Sequence, residues 1–326
     1  MNVSVVICAY TLDRWDDLSA AVWSCLDQSL TPYEVIVVID HNEELHSRAA
    51  HDLPGVQVVP NRSTKGLSGA RNTGVATSTG EIVAFLDDDA YAESEWLERM
   101  VAPMSDQTVA GVGGWVVPHW PGDVPQWFPE TFYWVLGCSY YGLPEHNASI
   151  RNPIGASMAM RREIFTTVGG FTSGIGRIGR NPLGCEETEL CIRYSARRPA
   201  DRFVLRRDAI VHHRVPESRL TWSYFRRRCW AEGLSKAAVA SLVGAGDALA
   251  AERRHAARAI PREFLQVCAS APRRPRVGVV RLWLIGAGSI IATAGLLRGR
   301  TALRKSPLQP TGDVEGWFKD FHGDRS

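Results

Sequence analysis

Ile82-Val83-Ala84-Phe85-Leu86-Asp87-Asp88-Asp89 decides how the rest of this 326-residue chain is read. A short apolar run of strand type passes straight into three acids. Alternate residues of a strand share a face, which puts Asp87 and Asp89 on one side and Asp88 on the other. Three adjacent carboxylates repel one another, so ionising them all in a cleft is costly without a cation. A hard divalent ion, Mg2+ or Mn2+, relieves that cost, using one or two carboxylates with phosphate oxygens and water. In open α/β sheets, ligands sit beyond the carboxyl ends of strands, where this triplet falls. The plainer alternative is a solvated acidic turn capping the next helix; the buried run in front of it argues against that.

Upstream, two patterns alternate. Residues 3–9 form a β-branched strand and residues 16–26 have helical spacing, with Leu18, Ala21, Val22, Cys25 and Leu26 on one side. Residues 34–39 are a second strand, stopped by Asp40, and residues 56–59 a third. Residues 66–76 read as a helix opened by a glycine, and residues 81–86 as the fourth strand. Such βαβαβ order implies a parallel sheet covered by helices. Asp40 ends its strand on the same rim as the triplet, where an acid can bond a base or ribose; the bland role is a turn former.

Downstream the pattern changes. Residues 115–141 mix aromatics with Pro118, Pro121, Pro125 and Pro129, which predicts irregular loops and a shaped surface. Further strands are expected at residues 155–160 and 203–211, with His212 and His213 just beyond the second. Helices are expected at 162–168, 186–197 and 220–242. Residues 277–297 are nearly all apolar apart from Arg281, about the ~20 residues that cross a bilayer. They suit either a buried helical hairpin or a membrane contact. Between Phe264 and Gly312 there is no acid, while Arg273, Arg274, Arg276, Arg281, Arg298, Arg300, Arg304 and Lys305 surround this run. That favours an anionic surface. The tail carries one small aromatic anchor, Trp317, Phe318 and Phe321.

The overall charge of +2 names no partner, and 45% apolar with 22% charged residues is a globular balance that excludes global disorder. Seven cysteines, without metal-type spacing, read as reduced packing groups in a cytoplasmic chain. The basic stretch is interleaved with apolar residues and matches no nucleic-acid module, so no nucleic acid partner is expected.

Ser4-Val5-Val6-Ile7-Cys8-Ala9-Tyr10, the Asp40 strand end, Lys65-Gly66-Leu67-Ser68-Gly69-Ala70-Arg71-Asn72-Thr73-Gly74 and Phe85-Leu86-Asp87-Asp88-Asp89 follow in that order. Each is weak alone; the ordered set, with the match running over residues 1–235, resembles glycosyltransferase family 2. The resemblance implies an α/β, Rossmann-like GT-A fold. Its sheet would be mixed and mainly parallel, flanked by helices, with a C-terminal helical extension here. The catalytic domain would be residues 1–215, with a nucleotide-sugar half over 1–115 and an acceptor half over 116–215. A basic helical extension over 216–270 and an apolar, basic segment and tail over 271–326 would follow.

By the same resemblance the activity is inverting transfer of a sugar, hexosyl or uronosyl, from a nucleotide-sugar (UDP-sugar) to a hydroxyl acceptor. Ala9, Tyr10 and Asp40 would hold the base; Lys65, Gly66 and Arg71 would line the nucleotide site. Asp87, Asp88 and Asp89 would be the DxD motif, with Asp89 and Asp87 as metal ligands. A late histidine, His213 in preference to His212, would complete a site for a divalent cation. Imidazole suits Mn2+ better than Mg2+.

Gly184-Cys185-Glu186-Glu187-Thr188-Glu189-Leu190 resembles the family's later acidic motif, with Glu where Asp is usual. The base role maps to Glu187, with Glu186 as the other candidate. Direct displacement needs a carboxylate to take the acceptor's proton opposite the leaving diphosphate. A helix start rich in acids would also suit the macrodipole alone. Arg177-Ile178-Gly179-Arg180 could close on an anion such as a uronate, or be an ordinary exposed loop. Arg226-Arg227-Arg228-Cys229-Trp230 resembles the family's arginine-bearing helix, which puts Arg228 near the diphosphate. It lacks the leading Gln of processive synthases, against a polymerising enzyme.

The acceptor could be polyprenyl-linked or another glycolipid at the cytoplasmic face of a membrane, or a soluble small molecule. A nucleotidyltransferase would share strand-end acids and a metal, but the chain has no Walker lysine. A non-catalytic scaffold would not need both acidic motifs.

Overall fold

The computed structural model describes residues 1–173, 175–177, 184–244, 249–270 and 274–305. The elements run β1 (Val3–Ala9), α1 (Trp15–Leu26), β2 (Glu34–Ile39), α2 (Glu43–Asp52), β3 (Gln57–Pro60), α3 (Leu67–Thr77) and β4 (Ile82–Asp87). Then come β5 (Ala90–Ala92), α4 (Trp96–Val101), β6 (Val109–His119), β7 (Ser149–Ile150), β8 (Ser157–Arg161) and α5 (Glu163–Val168). The C-terminal part has α6 (Glu186–Arg197), β9 (Arg202–Arg214), α7 (Trp222–Val243), α8 (Ala250–Arg254), α9 (Ile260–Ser270) and α10 (Pro275–Lys305).

Among the described residues the strands form one mixed sheet in the order β3-β2-β1-β4-β8-β6-β9-β5, with β7 on β9. β1 to β4 are mutually parallel; β8 then runs antiparallel to β4 and to β6. The period-2 alternation of the first strands explains their continuous apolar sequence, because both faces are covered. Val5, Ile7, Val35, Val37, Ala84 and Leu86 pack under α1, α2 and α4. Val6, Ile36, Val38, Val83 and Phe85 pack under α3, α5 and α6. Asp87 continues the Val83-Phe85 face and so emerges towards α3 and α6.

Three local expectations are corrected, and one helix was not expected. Residues 115–119 belong to β6, and the aromatics that follow build a core: Phe128, Phe132, Val135 and Leu136 pack with Phe225, Leu284 and Ile285. Helix α2 escapes the apolar-period reading because only Leu45 and Ala49 are buried; its signal was the Asn42 cap, whose side chain accepts from the Leu45 N–H. His212 and His213 lie within β9, not beyond it. The apolar run 277–297 is one stretch of the 31-residue α10, not a hairpin. Trp317, Phe318 and Phe321 fall outside the described residues.

Helix α3 lies so close to the sheet that a Cβ at Gly74 would fall 2.4 Å from Val6 Cγ1. Gly74→Ala should therefore cost about 1–3 kcal/mol of stability, read from urea unfolding. A neutral result would mean that α3 can lift away freely.

Candidate active site

The strands β1, β2 and β4 end together, and a cavity of 1240 Å³ opens over their carboxyl ends. Its wall includes Ala9, Tyr10, Asp40, Asp87, Asp88 and Asp89 from the sheet rim, Arg71 from α3, and Glu186 and Glu187 from α6. Arg228, Glu232 and Lys236 of α7 close the far side. The volume exceeds that of most small-molecule pockets and suits two substrates side by side.

The three aspartates have three environments. Asp87 faces the cavity, about a quarter exposed, while Asp88 and Asp89 are buried. Asp89 meets His213 Nε2 at 3.1 Å, the Arg219 guanidinium at 2.8 Å and Arg14 at 3.1 Å. Burial pushes its carboxyl up, but His213, Arg219 and Arg14 outweigh that and hold it well below the usual range. Asp88 pairs with Arg14 at 2.9 Å; burial and its two acidic neighbours nevertheless leave its carboxyl raised. Asp88 Oδ2 is buried with no hydrogen-bond partner among the described residues.

Asp87, Asp89 and His213 each offer a ligand atom, all within 4.8 Å of one another. Two carboxylates and an imidazole are a donor set that fits a divalent cation. The Cys138 Sγ lies 3.8 Å from His213 Nδ1, which leaves Nε2 on the aspartate side.

Arg71 is 2% exposed and joins the two acidic motifs. Its Nη1 donates to Glu186 Oε1 at 2.5 Å; its Nη2 donates to the Gly155 carbonyl at 3.1 Å and to Asp87 Oδ1 at 3.4 Å. Glu186 is thus tied inward. Its neighbour Glu187 is half-buried and lines the cavity. Burial and the Glu186 charge push the Glu187 carboxyl up to about 7, with Arg71 opposing. Cys185 starts α6 in the left-handed region at φ 78, and the acids in its first turn suit the helix dipole.

The residues expected to hold a nucleotide divide. The Asp40 carboxylate is occupied internally: Oδ1 accepts from Asn61 at 2.7 Å and Oδ2 from the Gly66 N–H at 2.9 Å. It shapes the loop before α3, where Gly66 sits at φ 116. Tyr10 is about one-third exposed beneath the Arg14 guanidinium, 5.5 Å from its ring centre. Lys65 is exposed, and neither it nor Gly66 lines the cavity. Arg228 lines it from α7 and lies 3.9 Å from Glu232. Arg177 lines it too, and no acid among the described residues is within ion-pair distance of it. Ile178, Gly179 and Arg180 lie outside the described residues.

Arg14 and Arg219 escaped the sequence reading. They sit 74 and 130 positions from the acids they meet, and neither stands in a motif of its own. The signal for Arg14 was its place in the loop following β1, opposite the β4 acids.

A cavity over the strand ends, lined by two acidic motifs, is the kind of site an α/β transferase carries, and the comparisons place the chain in such a class. The chain belongs to glycosyl transferase family 2, whose model matches residues 4–169, and it is a glycosyltransferase. It is 36% identical over 240 residues to the glucosyl-dolichyl phosphate glucuronosyltransferase of Haloferax volcanii, covering 72% of this chain and 76% of that protein. It is 25% identical over 205 residues to the succinoglycan biosynthesis protein ExoM of Rhizobium meliloti, covering 61% and 62%. Among solved structures it resembles the mannosyltransferase PcManGT from Pyrobaculum calidifontis in complex with GDP-Man and Mn2+. The TM-score is 0.55 at 18% identity, over 88% of this chain and 86% of that one. At that identity the likeness is one of fold, and the fold is GT-A.

Replacing Arg71 with methionine would strand Glu186 and Asp87 without their shared counter-charge. Arg71→Met should cost about 3–5 kcal/mol in urea unfolding at neutral pH. A loss below about 1 kcal/mol would mean the bridge does not hold the site together.

Proposed function

We propose that this enzyme transfers a uronosyl or hexosyl group, with inversion, from a UDP-sugar to a hydroxyl of a lipid-linked acceptor at the cytoplasmic face of a membrane. The observation that carries the proposal is that Glu187 and the Asp87-Asp89-His213 cluster line or adjoin one cavity. The named activity of the Haloferax relative supports a uronosyl donor and a polyprenyl-type acceptor. Arg177, a cation in the wall without a paired acid among the described residues, supports an anionic donor sugar. Seven free cysteines suit a reducing compartment.

Ala9, Tyr10 and Asp40 form the base end of the donor site. Gly66 acts there through its bond to Asp40, and Lys65 from the rim. Arg71 acts through Asp87 and Glu186, whereas Arg228 approaches from the α7 side. Glu187 accepts the proton of the acceptor hydroxyl while that oxygen attacks the anomeric carbon. The bond from that carbon to the diphosphate oxygen breaks on the opposite face, and the nucleoside diphosphate leaves with the electron pair. Asp87, Asp89 and His213 would hold a divalent cation, which when bound offsets the charge developing on the diphosphate. Arg14 and Arg219 hold Asp88 and Asp89 in place beside it.

Two outcomes test this. Glu187→Gln should bind donor normally yet lose at least about 100-fold in transfer. For the unaltered enzyme, transfer should rise as pH climbs through about 7, because the raised carboxyl is a base only once deprotonated. Normal transfer by the variant would remove Glu187 from the base role. In a panel of UDP-uronates and UDP-hexoses, released UDP should depend on Mn2+ or Mg2+, vanish with EDTA and return with added Mn2+. Release that ignores EDTA, or that occurs with no donor in the panel, would overturn the donor and metal assignments.

A further inference from the structure

Helix α10 is long and apolar enough to cross a membrane, with a mean hydropathy of 1.7 over its best window, yet only 22% of that window is buried. Its exposed apolar side chains follow a pattern. Val279, Trp283, Ile290 and Leu297 are each at least half exposed. At 100° per residue these positions fall within about 40° of arc, so they form one stripe. Trp283 is extended sideways by Trp222 of α7, itself exposed, with ring centres 4.4 Å apart. Helix α9, tied to α10 by the Glu263–Arg281 pair at 2.6 Å, adds exposed Phe264 and Leu265.

The opposite face is committed to the catalytic body. A Cβ at Gly288 would fall 2.5 Å from the Phe132 ring, and one at Gly295 would fall 2.4 Å from the Trp230 carbonyl. Gly299 sits as tightly on Ala237. These contacts step forward along both helices, so α10 lies beside α7 in the same direction for most of its length. Yet α7 carries Arg228, Glu232 and Lys236 into the cavity. An upright α10 would drag those charges into hydrocarbon, or else tear the seam apart. Its 31 residues span about 46 Å, well beyond the ~30 Å hydrocarbon core.

We propose that α10 is an interfacial helix that lies flat on an anionic lipid bilayer, its Val279-Trp283-Ile290-Leu297 stripe sunk among the headgroups, and does not cross it. The charge fits. Arg274 and Arg276 precede the stripe, Arg304 and Lys305 follow it, and no acid occurs from Phe264 to Gly312. Basic residues around an apolar stripe are what holds such helices to anionic lipid. The flank of α10 beside the stripe carries Ser289, Ala292, Thr293 and Leu296, all in the cavity wall. The cavity therefore opens next to the bilayer. If the acceptor is lipid-linked, as proposed above, its headgroup reaches Glu187 without its chain leaving the membrane; the docking itself does not depend on that.

The test is flotation of the purified full-length protein with vesicles of phosphatidylcholine alone or with one-third phosphatidylglycerol, over a salt series. The protein should float with the anionic vesicles, much less with the neutral ones, and lose binding as salt rises. Ile290→Glu with Leu297→Glu should weaken flotation about tenfold and leave UDP release from the donor, without lipid, unchanged. In cells, alkaline carbonate should extract the unaltered chain. Carbonate resistance with a protease-protected fragment covering 275–305 would overturn the interfacial mode in favour of a span. Failure to float with anionic vesicles would overturn the bilayer as the partner. The lipid and salt series need no variant, so they decide even if the double substitution perturbs folding. A chain that floats but fails every donor would keep this surface and lose the proposed activity instead.

Discussion

The Arg71 guanidinium stands between two acidic motifs, 16 positions from Asp87 and 115 from Glu186, and it bonds to both. One end of it neutralises Glu186 from α6, and the other reaches the rim of β4 through Asp87. Two acidic motifs facing each other at a largely buried rim without a cation would repel at close range, and a charge pair there is correspondingly strong. The bridge also divides labour. By occupying Glu186 it leaves a fixed negative charge beside Glu187, and that charge helps burial to raise the Glu187 carboxyl to about 7. Burial does most of this, the Glu186 charge adds to it and Arg71 opposes it.

A second division occurs within the triplet itself. Asp88 and Asp89 are adjacent in sequence and equally buried, yet their carboxyls move in opposite directions. Burial raises both. Asp89 alone receives His213 and Arg219, and with Arg14 they more than cancel it. Neutralisation of strand-end acids is therefore shared between arginines from the chain and a ligand set suited to a cation. Asp87, the most open of the three, is the one left facing the cavity.

The N-terminal half of the sheet was legible because its strands are buried on both faces and so appear as unbroken apolar runs with acids at their ends. The start of α6 was legible for a related reason: a cluster of acids after a glycine marks a helix N-terminus whatever else it does. What escaped was contributed by tertiary contact. Arg14 and Arg219 have no periodicity to announce them, and α2 buries too little to show an apolar face. The aromatics of residues 127–136 were read as surface because prolines surround them. They are buried against α7 and α10, whose Phe225, Leu284 and Ile285 come from far along the chain. His213 was recognised as a ligand candidate but set beyond its strand; placement inside β9 fixes its ring against Asp89 far more firmly than a loop could.

That same aromatic core explains how the C-terminal helices bear on the cavity. Phe132 and Phe225 touch each other, with ring centres 5.4 Å apart, and both pack against the backbone of α10 at Gly288. Phe225 lies one turn before Arg228 on α7, and Trp134, two residues after Phe132, lines the cavity. Any shift of α10 must therefore pass through these rings to the wall that faces Glu187. The glycines make the seam close enough that α10 cannot slide without moving α7. A helix held by a flat external surface would hold α7 as well, and with it the far wall of the site. The apolar run that reads as an appendage in the sequence is, in the folded chain, part of the frame that keeps the cavity open beside its acids.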